Sequence, residues 1–82
     1  MSKSPMTVAR VVELLEASTR SIPGTLTATT ELAATPVWDS LSRVEFMSLV
    51  EWNSGVELTS EDLDQSGSAE DLAAVIGRRA TE

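Results

Sequence analysis

The chemistry open to this chain is set first by what it lacks: its 82 residues include no Cys, no His and no Tyr, and Lys3 is its single lysine. Disulfides and thiolate metal sites are excluded, as are the commonest general base and the commonest metal ligand. Catalysis of its own would have to run on carboxylates, hydroxyls and Lys3, so the expectation is a non-catalytic protein. Two clusters of oxygen-bearing side chains remain. Asp39-Ser40-Leu41 heads a stretch without Gly or Pro that runs to about Asn53. A Ser in the first turn of a helix there would stand among free N–H groups at the positive end of the dipole, which favours an anion. The same Asp39 or Ser40 also reads as a simple N-cap. The second cluster, Asp62-Leu63-Asp64-Gln65-Ser66-Gly67-Ser68, imitates the opening of a calcium loop. Its twelfth position, which needs a bidentate Glu, is Ala73, so Asp62 and Asp64 read as solvated carboxylates around a short helix.

A chain of this length buries only ~60% of its unfolded surface and supports one core. With 41% hydrophobic residues it is apolar enough to fold despite a net charge of -7. The excess of 13 acidic over 6 basic residues repels a phosphate backbone, which argues against nucleic acid and for basic protein patches as partners. No apolar run approaches the ~18 residues that span a bilayer, and no signal-type apolar region follows Met1-Ser2-Lys3-Ser4-Pro5. A cytoplasmic, monomeric protein without membrane partners is expected.

These clusters need elements to position them. Val8, Val11, Val12 and Leu15 follow the spacing of one helical face, with Arg10, Glu13 and Glu16 on other sides. Ser4 as N-cap and Pro5 at the first helical position would start this helix, which should fade by about Ser18. From Thr19 to Trp38, Ile22-Pro23-Gly24, several Thr and Pro36 break any helical period. A long ordered loop is expected there, pinned by Ile22, Leu26, Leu32 and Val37. The second helix runs from Asp39 or Ser40 to about Asn53, with Gly55 as a left-handed C-cap. Val56 and Leu58 alternate with Glu57 in an extended connection, and Thr59-Ser60-Glu61-Asp62 caps a brief helix that holds Leu63. Ser68 should cap a last helix carrying Leu72, Val75, Ile76 and Arg79, with Arg78 and Arg79 at its negative end. The fold class predicted is all-α: a small antiparallel bundle of three main helices plus one short helix, with a long first loop. Residues 1–4 form a flexible N-terminus and residues 5–80 the domain.

The second helix is apolar on two sides. Steps of ~100° per residue put Phe46, Met47 and Val50 in one arc and Leu41, Val44 and Trp52 in another, among Glu45, Ser48 and Glu51. The first arc suits the core. The second suits a partner, since apolar area supplies affinity while carboxylates orient a basic surface. Alternatively, the long loop covers Leu41 and Val44.

Through Asp39-Ser40-Leu41, and through the order of elements around it, the chain resembles the acyl carrier protein family. The resemblance covers nearly the whole length: a helix, a long loop, Asp-Ser-Leu opening an apolar-acidic helix, Gly55-Val56-Glu57-Leu58, a short acidic turn and a capped last helix. It implies an acyl carrier domain over residues 5–80, with 4'-phosphopantetheine attached covalently at Ser40 by a phosphopantetheinyl transferase. The terminal thiol would hold the acyl group as a thioester, Asp39 and Leu41 would frame the attachment site, and acyl-loading and acyl-transfer enzymes would be partners. Trp38, Val44, Glu45, Ser48 and Glu51 are the expected partner surface.

The chain departs from the family pattern in several places. Val37 stands where Gly is usual, Trp38 flanks Asp39, and Ser42 and Trp52 occupy positions that are acidic in fatty-acid carriers. Arg43 adds a positive charge near the prosthetic group. Ser54 replaces an aromatic before Gly55, so Phe46 or Trp52 would compensate in packing. These features favour a dedicated carrier in a specialised biosynthetic pathway. The absence of a Gly-Gly-x-Ser signature favours acyl cargo, with an aminoacyl or peptidyl carrier as the alternative within the family. Trp38 and Trp52 read equally as binding or packing residues. The rival from another class is a helical protein-interaction module that is never modified.

Overall fold

The computed structural model describes residues 4–81. They form helix α1 over Val8–Thr19, a 3-10 turn at Leu32–Ala34, α2 over Ser40–Ser54, α3 over Ser60–Asp64 and α4 over Ala69–Ala80, with no strand among the described residues. Helix α1 packs on both α2 and α4, and α3 packs on α4, within 32 × 23 × 20 Å. The all-α bundle of three main helices and one short one is as expected. No helix among the described residues is long and apolar enough to cross a membrane.

Helix α1 starts later than Ser4-Pro5. The Thr7 hydroxyl accepts the Arg10 N–H at 3.1 Å, and Thr7 itself is extended, so the chain enters the helix at Val8. Ser4 instead donates its backbone N–H to the Ser54 carbonyl at 2.9 Å, which ties the leading segment to the end of α2. The rest of the expected flexible N-terminus, residues 1–3 with Lys3, lies outside the described residues. The buried stripe is rotated towards Leu14: Val11, Leu14 and Leu15 are buried, while Val8 and Val12 are partly so. The helix continues through Thr19 and closes at Arg20 in the left-handed conformation, φ 56°.

Glu16, expected on an outer face, is buried. Its Oε2 accepts the N–H groups of Gly24 at 2.7 Å and Leu26 at 3.1 Å, so one carboxylate binds two loop donors, the second of them buried. Leu26 and Leu32 plug the core as expected. The loop is also tied to the start of α4, through Leu32 N–H to Gly67 O at 2.9 Å and Glu70 N–H to Ala28 O at 3.1 Å. Ile22 and Val37 do not pin it, being 78% and 45% exposed. Backbone hydrogen bonds and Glu16 do that work instead.

Phe46, Leu15, Leu72, Ile76, Val11, Val50 and Val56 are fully buried and form the centre of the core. Val56 and Leu58 face in and Glu57 out, as alternation predicts. Thr59 and Asp62 form a reciprocal capping box on α3: Thr59 Oγ1 accepts from Asp62 N and Asp62 Oδ2 from Thr59 N. Asp62 is therefore not a solvated carboxylate. It is buried and also accepts from Arg79 Nη2 at 2.8 Å, clamping α3 to α4. Ser68 precedes α4 but makes no side-chain cap bond. The Glu70 N–H, in the first turn, goes to Ala28 O instead, while the Asp71 carboxylate accepts the Gly67 N–H ahead of the helix at 2.9 Å.

Candidate functional site

Asp39 ends the long loop in an extended conformation and caps α2. Its Oδ1 accepts the Ser42 N–H at 2.9 Å, and the Ser42 hydroxyl accepts the Asp39 N–H at 2.9 Å. Ser42 is buried, and its hydroxyl also donates towards Val37 O at 2.8 Å. The two capping residues thus satisfy each other. The Ser42 N–H, then the Ser42 hydroxyl, hold the Asp39 carboxyl below its ordinary value, so it is ionised at neutral pH.

Ser40, the first residue of α2, lies between them. It is exposed, and no hydrogen bond engages its hydroxyl among the described residues. The simple N-cap reading therefore applies to Asp39 and not to Ser40. The free donors expected around Ser40 are fewer than supposed. Asp39 takes the Ser42 N–H with its carboxylate and the Arg43 N–H with its carbonyl, at 3.0 Å. Positive charge comes instead from Arg43, in a groove beside Ser40 that is also lined by Val44, Met47, Ser60 and Asp64. Arg43 donates to Asp64 Oδ1 at 2.6 Å and to Ser60 O at 3.0 Å. Asp64 thus shares its charge and fixes its position.

The arcs of α2 separate as the period predicts. Phe46 and Val50 are buried, Met47 is half-buried, and Leu41, Val44 and Trp52 are 63%, 55% and 82% exposed. The long loop does not cover Leu41 and Val44. Ser48 and Glu51 are exposed on the same outer face, whereas Glu45 is half-buried and paired with Arg20 at 3.0 Å. Trp38 does not belong to the open surface in the same way. It is half-buried and meets Phe46 edge to face, centroids 5.7 Å apart at 74°, so it roofs the core beside the site. Of the two aromatics expected to compensate for Ser54, Phe46 is fully buried and Trp52 is exposed, so only Phe46 packs in the core. Ser54 satisfies itself by donating to Val50 O at 2.7 Å.

Two residues escaped the sequence reading. Ser42 was visible only as a missing acid, although its spacing from Asp39 is that of a capping box. Arg20 had no local signal, because its partner is 25 residues away. Among the described residues no three acidic side chains converge as a metal site. Comparison with family models, curated proteins and solved structures finds no match to this chain.

Proposed function

We propose that this chain is an acyl carrier protein that bears 4'-phosphopantetheine on Ser40. The observation that carries this reading is a solvent-facing, unengaged hydroxyl at the head of α2, between two residues that cap the helix for each other. Ser42, which helps to hold the fold, is buried and bonded, whereas Ser40 is neither. The groove beside Ser40 fits the group: Arg43 supplies a cation for a phosphodiester, and Val44 and Met47 supply apolar wall for an uncharged arm. Once attached, the group's terminal thiol carries the acyl cargo as a thioester. The chain's own part is to present the Ser40 oxygen and to keep Asp39 ionised and bonded to Ser42. In the transfer the Ser40 oxygen would form the bond to the phosphorus that carries the pantetheine arm of coenzyme A, the diphosphate bond would break to release adenosine 3',5'-bisphosphate, and the hydroxyl proton would leave to a base of the transferase.

Acyl-loading and acyl-transfer enzymes would dock over Val44, Glu45, Ser48 and Glu51, in a cytoplasmic and specialised biosynthetic setting. Tethering replaces encounters in solution with delivery at high effective concentration. The test is incubation with coenzyme A and a broad-specificity phosphopantetheinyl transferase, followed by intact-protein mass measurement. One added group is expected on the wild type and none on Ser40→Ala. An unmodified docking module is favoured by one observation, the 82% exposed Trp52 far along α2 from Ser40. It would be supported by an unaltered mass under conditions that convert a control carrier.

A further inference from the structure

Both hydrogen bonds that join α2 to α3 among the described residues are made by one atom. Arg43 Nη2 donates to the Ser60 carbonyl at 3.0 Å and to Asp64 Oδ1 at 2.6 Å, so it grips α3 at its first and last residues. The helix that α3 packs on is α4. Towards α2 there are two small cavities instead, of about 200 and 210 Å³, and the Arg43–Asp64 pair is the wall they share. Arg43 is thus the tie between the modified helix and the short one.

That tie is half used. A guanidinium carries five N–H donors in a rigid fork. Arg43 spends only Nη2, and its Nε and Nη1 make no hydrogen bond among the described residues. Its side chain is 27% exposed, so its charge is screened by water less than that of an open surface residue. Ser40 lines the same groove three residues earlier, where helix neighbours have Cβ atoms about 5–6 Å apart.

We propose that Arg43 couples the state of Ser40 to α3: the unused edge of its fork takes the phosphodiester on Ser40 while Nη2 keeps its hold on Asp64 and Ser60, so that modification tightens α3 against α2. The inference rests on the carrier reading and gives that site a structural response to its own modification. Asp64 is a positioning residue, which acts by aiming the guanidinium. A cation between two anions satisfies both without moving, and carboxylate and phosphodiester, which repel each other, gain a common partner. Drawing Arg43 off Asp64 would instead break the 2.6 Å bond while other donors stand idle.

Hydrogen exchange tests this by comparing unmodified protein with protein modified from coenzyme A by a broad-specificity phosphopantetheinyl transferase, conversion being confirmed by mass. The Leu63 and Gln65 amides bond to Thr59 O and Glu61 O. They should exchange about threefold more slowly in the modified form, the size of a partly exposed charge contact, while amides at the centre of α1 stay unchanged. Arg43→Gln should abolish the difference, Asp64→Asn should at least halve it, and Arg43→Lys should keep part of it. The phosphorus-31 resonance should also move with Asp64→Asn, which a pair that only held the fold would not cause. Equal exchange in the two wild-type forms overturns the proposal, as does a difference that Arg43→Gln retains. Faster exchange in the modified form overturns it in favour of a phosphodiester that takes Arg43 from Asp64. Asp64→Asn alters an exposed side chain and keeps Ser40 and Arg43 in place, so it decides the matter even where Arg43→Gln resists modification. A wild type that gains no mass removes the carrier reading itself, whereas a modified wild type with unaltered α3 exchange removes only the coupling.

Discussion

Asp39 and Ser42 exchange hydrogen bonds across the first turn of α2, each backbone N–H meeting the other's side-chain oxygen at 2.9 Å. Because these two close the cap, Ser40 between them is spared. A structural Ser and a presented Ser stand two positions apart on one helix, and the consequences differ.

Ser42→Ala should lose about 1–2 kcal/mol of stability, because it removes a cap and the bond to Val37 O. Ser40→Ala, which breaks no hydrogen bond among the described residues, should stay within about 0.5 kcal/mol of wild type. Urea titration of both proteins checks the contrast. Equal losses would mean that Ser40 is a structural residue.

Glu16→Ala should cost about 1–3 kcal/mol, since it leaves the Gly24 and Leu26 N–H groups without an acceptor. Hydrogen exchange should quicken at those two amides more than in the centre of α1. Unchanged protection at Leu26 would show that the loop holds without this carboxylate.

The two tryptophans should separate cleanly. Trp38→Ala exposes Phe46 and should lower stability by about 2–3 kcal/mol, whereas Trp52→Ala should leave it within about 0.5 kcal/mol. Acrylamide quenching of each single-Trp protein provides a second readout. Trp52 should be quenched readily and Trp38 weakly.

Acid should weaken the α3–α4 clamp. Burial pushes the Asp62 carboxyl up, but the Thr59 N–H and hydroxyl and the Arg79 guanidinium together outweigh it, so its pKa lies below 3.8. A carboxyl depressed in the folded state contributes stability in full above its unfolded value, and that contribution is lost as pH falls through the folded one. The stability difference between wild type and Asp62→Asn should therefore be constant from about pH 7 to 5 and shrink below about pH 4. A difference that stays constant down to about pH 2 would refute the clamp.

Arg20 adopts φ 56°, a conformation that costs a non-glycine residue roughly 1–2 kcal/mol, and its exposed pair with Glu45 returns little. Arg20→Gly should melt no lower than wild type. By freeing Glu45 it should also make transferase kinetics more sensitive to salt. A clear drop in melting temperature would show that Arg20 holds α1 to α2.

Periodicity and punctuation carried most of the architecture. The two arcs of α2, the Gly55 stop, the alternation at Val56 and Leu58 and the cap at Thr59 are short-range patterns, because a helix or a turn is decided by neighbours within about four residues. The same locality leaves open every choice that distant groups decide. Ser4 and Thr7 are both plausible caps by type; in the fold the Thr7 hydroxyl takes the Arg10 N–H, while the Ser4 N–H is bonded to the distant Ser54 O. Ile22 and Leu26 are equally apolar, yet only Leu26 reaches the core.

The amino-acid order alone was enough to set an all-helical fold and to put Ser40 at the head of an apolar-acidic helix, since both follow from contacts along a single stretch of chain. The three-dimensional packing decided the charges. Glu16 became a buried loop anchor, Asp62 a clamp with Arg79, and Glu45 a partner of Arg20. Each of these depends on groups brought together from distant positions, and a carboxylate's role is fixed by whichever donors surround it after folding.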